Sequence, residues 1–144
     1  MVSAQNITLP PTFGSTTLSA GFPDDPRSVM LTAGGTNNAS TLTPATGSGA
    51  CVGSIATAPD YSVTYNNAGA YPLIFSVISM ADTTLVINGP NGQWYCNDDS
   101  NGLNPAVRFD TPASGRYDIF VGTYSSTPAP ATLYISEIRV VVTP

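Results

Sequence analysis

Thr84-Leu85-Val86-Ile87-Asn88-Gly89-Pro90-Asn91-Gly92-Gln93-Trp94-Tyr95-Cys96 is the stretch that decides the fold. It begins with four residues that are β-branched or apolar and suit a pleated, half-buried surface. Asn91-Gly92 is a dipeptide that tolerates the two positive φ angles of a tight hairpin turn, and Gln93 to Cys96 can return as the partner strand. The stretch reads as a β-hairpin.

Just beyond it, Asn97, Asp99 and Asn101 alternate and are followed at once by Gly102, which repeats the first half of an oxygen-ligand calcium loop. The second half is missing. Arg108 stands where a helix-loop-helix calcium site needs its bidentate Glu, and no helical periodicity flanks the loop, so a site of that type is excluded. A hard cation such as Ca²⁺ wants six to eight oxygens. Asp82, Asp98, Asp99, Asn101 and Asn104, with backbone carbonyls and water, are the candidate metal ligands. The alternative is that Asn, Asp, Ser and Gly gather here as turn formers.

Working outward, the 144 residues form one domain with room for a sizeable core. Glycine and proline, 13 of each, together with abundant Ser, Thr and Asn, argue for short strands joined by tight turns. Four arginines and no lysine against a net charge of −5 exclude a nucleic-acid surface, which needs clustered cations to neutralise phosphates. An anionic membrane surface is disfavoured for the same reason. No apolar run reaches the ~20 residues that span a bilayer.

Cys51 and Cys96 lie 45 positions apart, too far for a CxxC pair. Low charge, absent lysine and the wealth of Thr, Ser and Gly favour an oxidised, exported protein with Cys51 bonded to Cys96, the alternative being two buried thiols. Asn6-Ile7-Thr8 and Asn38-Ala39-Ser40 match the short glycosylation sequon.

Along the chain, residues 1–12 carry Pro10 and Pro11 and read as an extended arm or linker, leaving 13–144 as the domain. Strand patterns follow at Thr16–Leu18, Arg27–Thr32, Cys51–Ile55, Tyr61–Tyr65, Leu73–Ser79, the hairpin, Ala106–Phe109, Arg116–Thr123 and Ala131–Val142, the last being the longest. Leu73–Ser79 is apolar on both sides and belongs in a sheet interior. Gly21 to Pro26 is a turn carrying the carboxylate pair Asp24 and Asp25, and Thr36–Gly49 reads as a surface loop without core-forming side chains. Turn signals recur about every ten residues and no long window has a 3.6-residue apolar period, which gives an all-β sandwich or barrel.

The runs Gly21-Phe22-Pro23-Asp24-Asp25-Pro26, Cys51-Val52-Gly53, Asp82-Thr83-Thr84-Leu85, Pro90-Asn91-Gly92-Gln93-Trp94-Tyr95-Cys96-Asn97-Asp98-Asp99, Gly102-Leu103-Asn104-Pro105 and Ser114-Gly115-Arg116-Tyr117-Asp118-Ile119-Phe120-Val121-Gly122-Thr123 resemble the bacterial pre-peptidase C-terminal domains. The resemblance is nearest to the disulfide-bearing variant of secreted cyanobacterial and proteobacterial proteins, and covers most of residues 13–137. It implies a jelly-roll-like antiparallel β-sandwich that is secreted or held at the cell surface, non-catalytic, often appended to a peptidase domain and calcium-bound in some members. The arm before Phe13 and the apolar extension Ile138–Val142 depart from the family pattern.

An enzyme is hard to build from these residues. Without histidine or lysine there is no Ser-His-Asp, Cys-His, Ser-Lys or Schiff-base chemistry and no histidine-ligated zinc. Adjacent carboxylates such as Asp98 and Asp99 do not straddle a glycosidic bond. An accessory or binding module fits better, with Trp94, Tyr95, Tyr61 or Tyr124 as candidates to stack on an extracellular polymer, and core packing as the competing use of each ring. The other reading is a subunit that self-assembles by strand addition, because the β-branched run Ile138–Val142 would be hazardous as an unpaired edge and the arm could pair with a neighbour.

Overall fold

The computed structural model describes residues 5–66 and 70–143, so the first four residues of the arm lie outside the described residues. The strands are β1 (Ser15–Ser19), β2 (Arg27–Ala33), β3 (Asn37–Asn38), β4 (Ser54–Ile55), β5 (Tyr61–Asn66), β6 (Leu73–Ile78), β7 (Thr83–Asn88), β8 (Trp94–Asn97), β9 (Ala106–Phe109), β10 (Gly115–Thr123) and β11 (Ala129–Ser136). One sheet runs β1-β5-β10-β7-β8, with β4 and then β3 continuing from the far end of β10 on the β5 side. The second sheet runs β2-β11-β6-β9. This is the expected all-β, jelly-roll-like sandwich, antiparallel except that β1 pairs parallel to β5.

Period-two alternation places the core. Val63 and Tyr65 of β5, Leu85 and Ile87 of β7, and Tyr117, Ile119 and Val121 of β10 point inward from the first sheet. Leu31, Leu73, Phe75, Val77, Leu133 and Ile135 meet them from the second. β6 is an interior strand, as its two-sided apolar pattern requires.

The hairpin forms with a different turn from the one expected. Asn91 does not take a positive φ; Gly92 alone does, at 80°. The Gly92 N–H donates to the Gly89 carbonyl, so Gly89-Pro90-Asn91-Gly92 is a four-residue turn with Pro90 second and Gly92 closing it in the left-handed region. The cause is Pro90, whose ring fixes φ near the value wanted at the second position of an ordinary turn.

The stretch 36–49 is not a bare surface loop. Ala39 and Leu42 are buried with Cys51, Ile55, Val86, Cys96 and Phe120 in a second apolar cluster, on the outer face of the first sheet. Phe120, Val86 and Cys96 lie in one cross-strand row, and the stretch closes over them. Gly35 permits the crossing: a Cβ there would sit 2.2 Å from the Ile55 backbone. Described residues of the arm also touch the domain, with the Asn6 N–H on Thr57, the Thr12 N–H on Pro59 and Ile7 against the outer cluster.

The last strand ends earlier than the sequence pattern suggests. Ser136 Oγ accepts the N–H groups of Ile138 and Arg139 at 3.0 and 3.2 Å, which bends the chain out of the ladder. The tail then crosses the outer face of β6, where the Val141 N–H donates to Ser76 Oγ and Val141 is buried. Ile138 to Val142 is a cover rather than an edge strand.

Candidate functional site

Asp82 precedes β7 and Asp98 and Asp99 follow β8, so the antiparallel β7-β8 pair brings the three to the same end of the first sheet. One carboxylate oxygen from each lies within 4.8 Å of the others. Asp82 and Asp98 are half-buried, and the Oδ1 of each is shielded from water with no hydrogen-bond partner among the described residues. Thr83 and Thr84, next along β7, bury their hydroxyls in the same unpartnered way. Burial, then the nearby Asp99 charge, raises the Asp82 carboxyl above its ordinary value. Asp98 is raised by burial, then by Asp99 and Asp82.

The other two candidate ligands shape the loop. Asn101 and Asn104 exchange backbone hydrogen bonds across the two-residue turn Gly102-Leu103, with Gly102 at φ 61°. Asn104 Oδ1 accepts the Ser79 N–H at 3.1 Å, and the Asn101 side chain is exposed. Asn97 Oδ1 accepts the Ala106 N–H, which ties the start of the loop to β9. The second carboxylate pair sits elsewhere: Asp25 Oδ2 accepts the Glu137 N–H at 2.7 Å, while Asp24 is exposed. Glu137 in turn accepts from the Gly21 N–H and the buried Tyr65 hydroxyl, so this acidic group anchors a turn.

Cys51 and Cys96 are bonded, with Cα atoms 5.1 Å apart. Of the four candidate stacking rings, three are committed to packing. Trp94 leans on Phe120 at 5.8 Å beside the disulfide, Tyr95 lies edge-on to Phe109 at 4.8 Å, and Tyr61 packs on the inter-sheet core. Tyr124 is 61% exposed, and its N–H donates to the Asp82 carbonyl at 2.9 Å. Sequence reasoning passed over the exposed Tyr71 and the buried Asp60, because a Pro59-Asp60 dipeptide carries only the signal of a turn.

No protein-family model matches the chain, and no curated protein matches it by sequence. Among solved structures it is similar to the pre-peptidase C-terminal domain of collagenase from Bacillus anthracis, at 13% identity and a TM-score of 0.50, covering 85% of this chain and 94% of that one. It also matches the periplasmic inhibitor of g-type lysozyme, PliG, of Aeromonas hydrophila, at 18% identity and a TM-score of 0.40, covering 85% of this chain and 96% of the inhibitor. The first likeness is one of fold: the chain shares the β-sandwich of a pre-peptidase C-terminal domain.

Proposed function

We propose that this chain is an exported, non-catalytic accessory module of the pre-peptidase C-terminal type, locked by its disulfide and stabilised by calcium at Asp82, Asp98 and Asp99. The observation that carries the metal reading is the pair of shielded, unpartnered oxygens on Asp82 and Asp98. Buried acceptors without a donor are costly, and a cation satisfies them at once. The spacing fits. Two oxygens on one Ca²⁺ at 2.3–2.6 Å can stand up to about 5 Å apart, and the three carboxylates meet that limit. Calcium would supply the positive charge that offsets three crowded carboxylates. Export is supported by the disulfide together with the lysine-free composition. The accessory role is supported by the shared fold and by a residue set without a nucleophile-base pair.

The test is thermal unfolding of the intact chain in excess EDTA and in millimolar Ca²⁺. Calcium at ~100 times its dissociation constant raises the unfolding free energy by about 2.7 kcal/mol, several degrees for a domain of this size. Asp99→Ala removes most of that increment. Asp24→Ala, on the other acidic turn, keeps it. Superimposed melting curves would return the three carboxylates to the role of turn formers.

A further inference from the structure

We propose that the groove between Tyr124 and the stretches 36–40 and 52–54 is a binding site for a neutral saccharide. The proposal rests on the accessory-module reading and gives that module its ligand class. The groove has a volume of 420 Å³ and is walled by Thr36, Asn38, Ser40, Ser54 and Tyr124. That volume falls in the range of about 300–1,000 Å³ typical of small-molecule sites. Its place in the fold is fixed at both sides: Ser54 pairs with Thr123 in the ladder, and Tyr124 is tied by its N–H to Asp82.

The chemistry of the wall is that of a sugar site. Tyr124 is exposed and stacks on no other ring among the described residues, and an open aromatic face attracts the C–H edge of a pyranose. The ring follows the end of β10, which is laddered to β7 from Asp118 to Thr123, and its backbone N–H is held by the Asp82 carbonyl, so the segment that carries it is fixed before a ligand binds. Around it, the Thr36, Ser40 and Ser54 hydroxyls and the Asn38 amide nitrogen make no hydrogen bond to another described residue. Hydroxyls and amides donate and accept, which matches sugar hydroxyls that do the same. No charged side chain lines the groove, which disfavours phosphates and uronic acids. A second groove, of 340 Å³ between β8 and β9, offers less, because Tyr95 and Phe109 are spent on each other and Arg108 is paired with Asp110.

The experiment uses the intact, disulfide-bonded chain in millimolar Ca²⁺. ¹⁵N-labelled protein is titrated with N-acetylchitotriose, cellotriose and maltotriose, and pull-downs are run with crystalline chitin, cellulose and gelatin. At least one trisaccharide should shift the amides of residues 36–40, 52–54 and 124. Tyr124→Ala should weaken that binding at least about tenfold, while Tyr71→Ala, an exposed ring outside the groove, leaves it unchanged. Absence of shifts with all three sugars, equal affinity in Tyr124→Ala, or capture by gelatin alone overturns the proposal. Melting in EDTA and in Ca²⁺ on the same samples separates the two readings. A calcium shift without sugar binding removes the groove alone, and sugar binding without a calcium shift removes the metal alone.

Discussion

Asp60 Oδ2 accepts the Val121 N–H at 2.7 Å, bridging the one gap in the ladder along β10. β5 pairs with β10 as far as Ile119, and β4 takes over only at Thr123. A carboxylate stands in for the missing strand. Asp60 also donates its own N–H to Ile119 and accepts the Phe13 N–H, so three segments meet at this residue. Burial raises its carboxyl to about 7, although the bond from Val121 pulls the other way.

That position makes the domain pH-sensitive. In the unfolded chain the group titrates near 3.9, so between that value and about 7 the folded state holds a proton that the unfolded state has lost. Stability from Asp60 is therefore full at acid pH and falls as pH rises through about 7. Asp60→Asn, which keeps the acceptor and mimics the protonated acid, should flatten the slope of unfolding free energy between pH 4 and 8. Asp82 and Asp98 are unchanged in the variant, so comparing the two slopes in the same buffer cancels their contribution.

Replacing Cys51 and Cys96 with serine should cost about 4 kcal/mol, the loop-closure term for 45 residues. Equilibrium urea unfolding measures it. Protease nicking should then appear first within residues 36–50, since that stretch is held over the outer face by this bond.

Tyr65→Phe keeps the ring in the core and removes the hydroxyl that donates to Glu137. The buried carboxylate loses a donor, and about 1–3 kcal/mol of stability should go with it. The shift should show in the midpoint of urea unfolding with an unchanged m-value.

On an exposed edge strand Val141→Lys would be tolerated; on a tail that covers β6 it is not. Because Val141 is 3% exposed where its N–H meets Ser76, a charge there must be buried or the tail must lift. The variant should lose about 2 kcal/mol or more in calorimetry. Ile138→Lys, at a position 70% exposed, should be neutral.

The inter-sheet core was legible because alternation is local: Tyr61, Val63 and Tyr65, or Tyr117, Ile119 and Val121, declare one face in five residues. Strand ends and loop packing were not. Nothing near Ser136 reveals that its hydroxyl will capture two N–H groups, and a β-branched run after it reads as more strand. Leu42 and Ala39 look like loop residues until the disulfide 45 positions apart fixes what lies beneath them. The acidic trio was visible as composition, but its convergence needed the β7-β8 register.

The two apolar clusters have no side chain in common, because inward and outward residues on β7, β8 and β10 alternate. Residues 36–51 thus behave as an insert laid on a finished scaffold, and they carry Thr36, Asn38 and Ser40. Substitutions at the exposed positions of this insert should therefore leave the inter-sheet packing that folds the domain untouched.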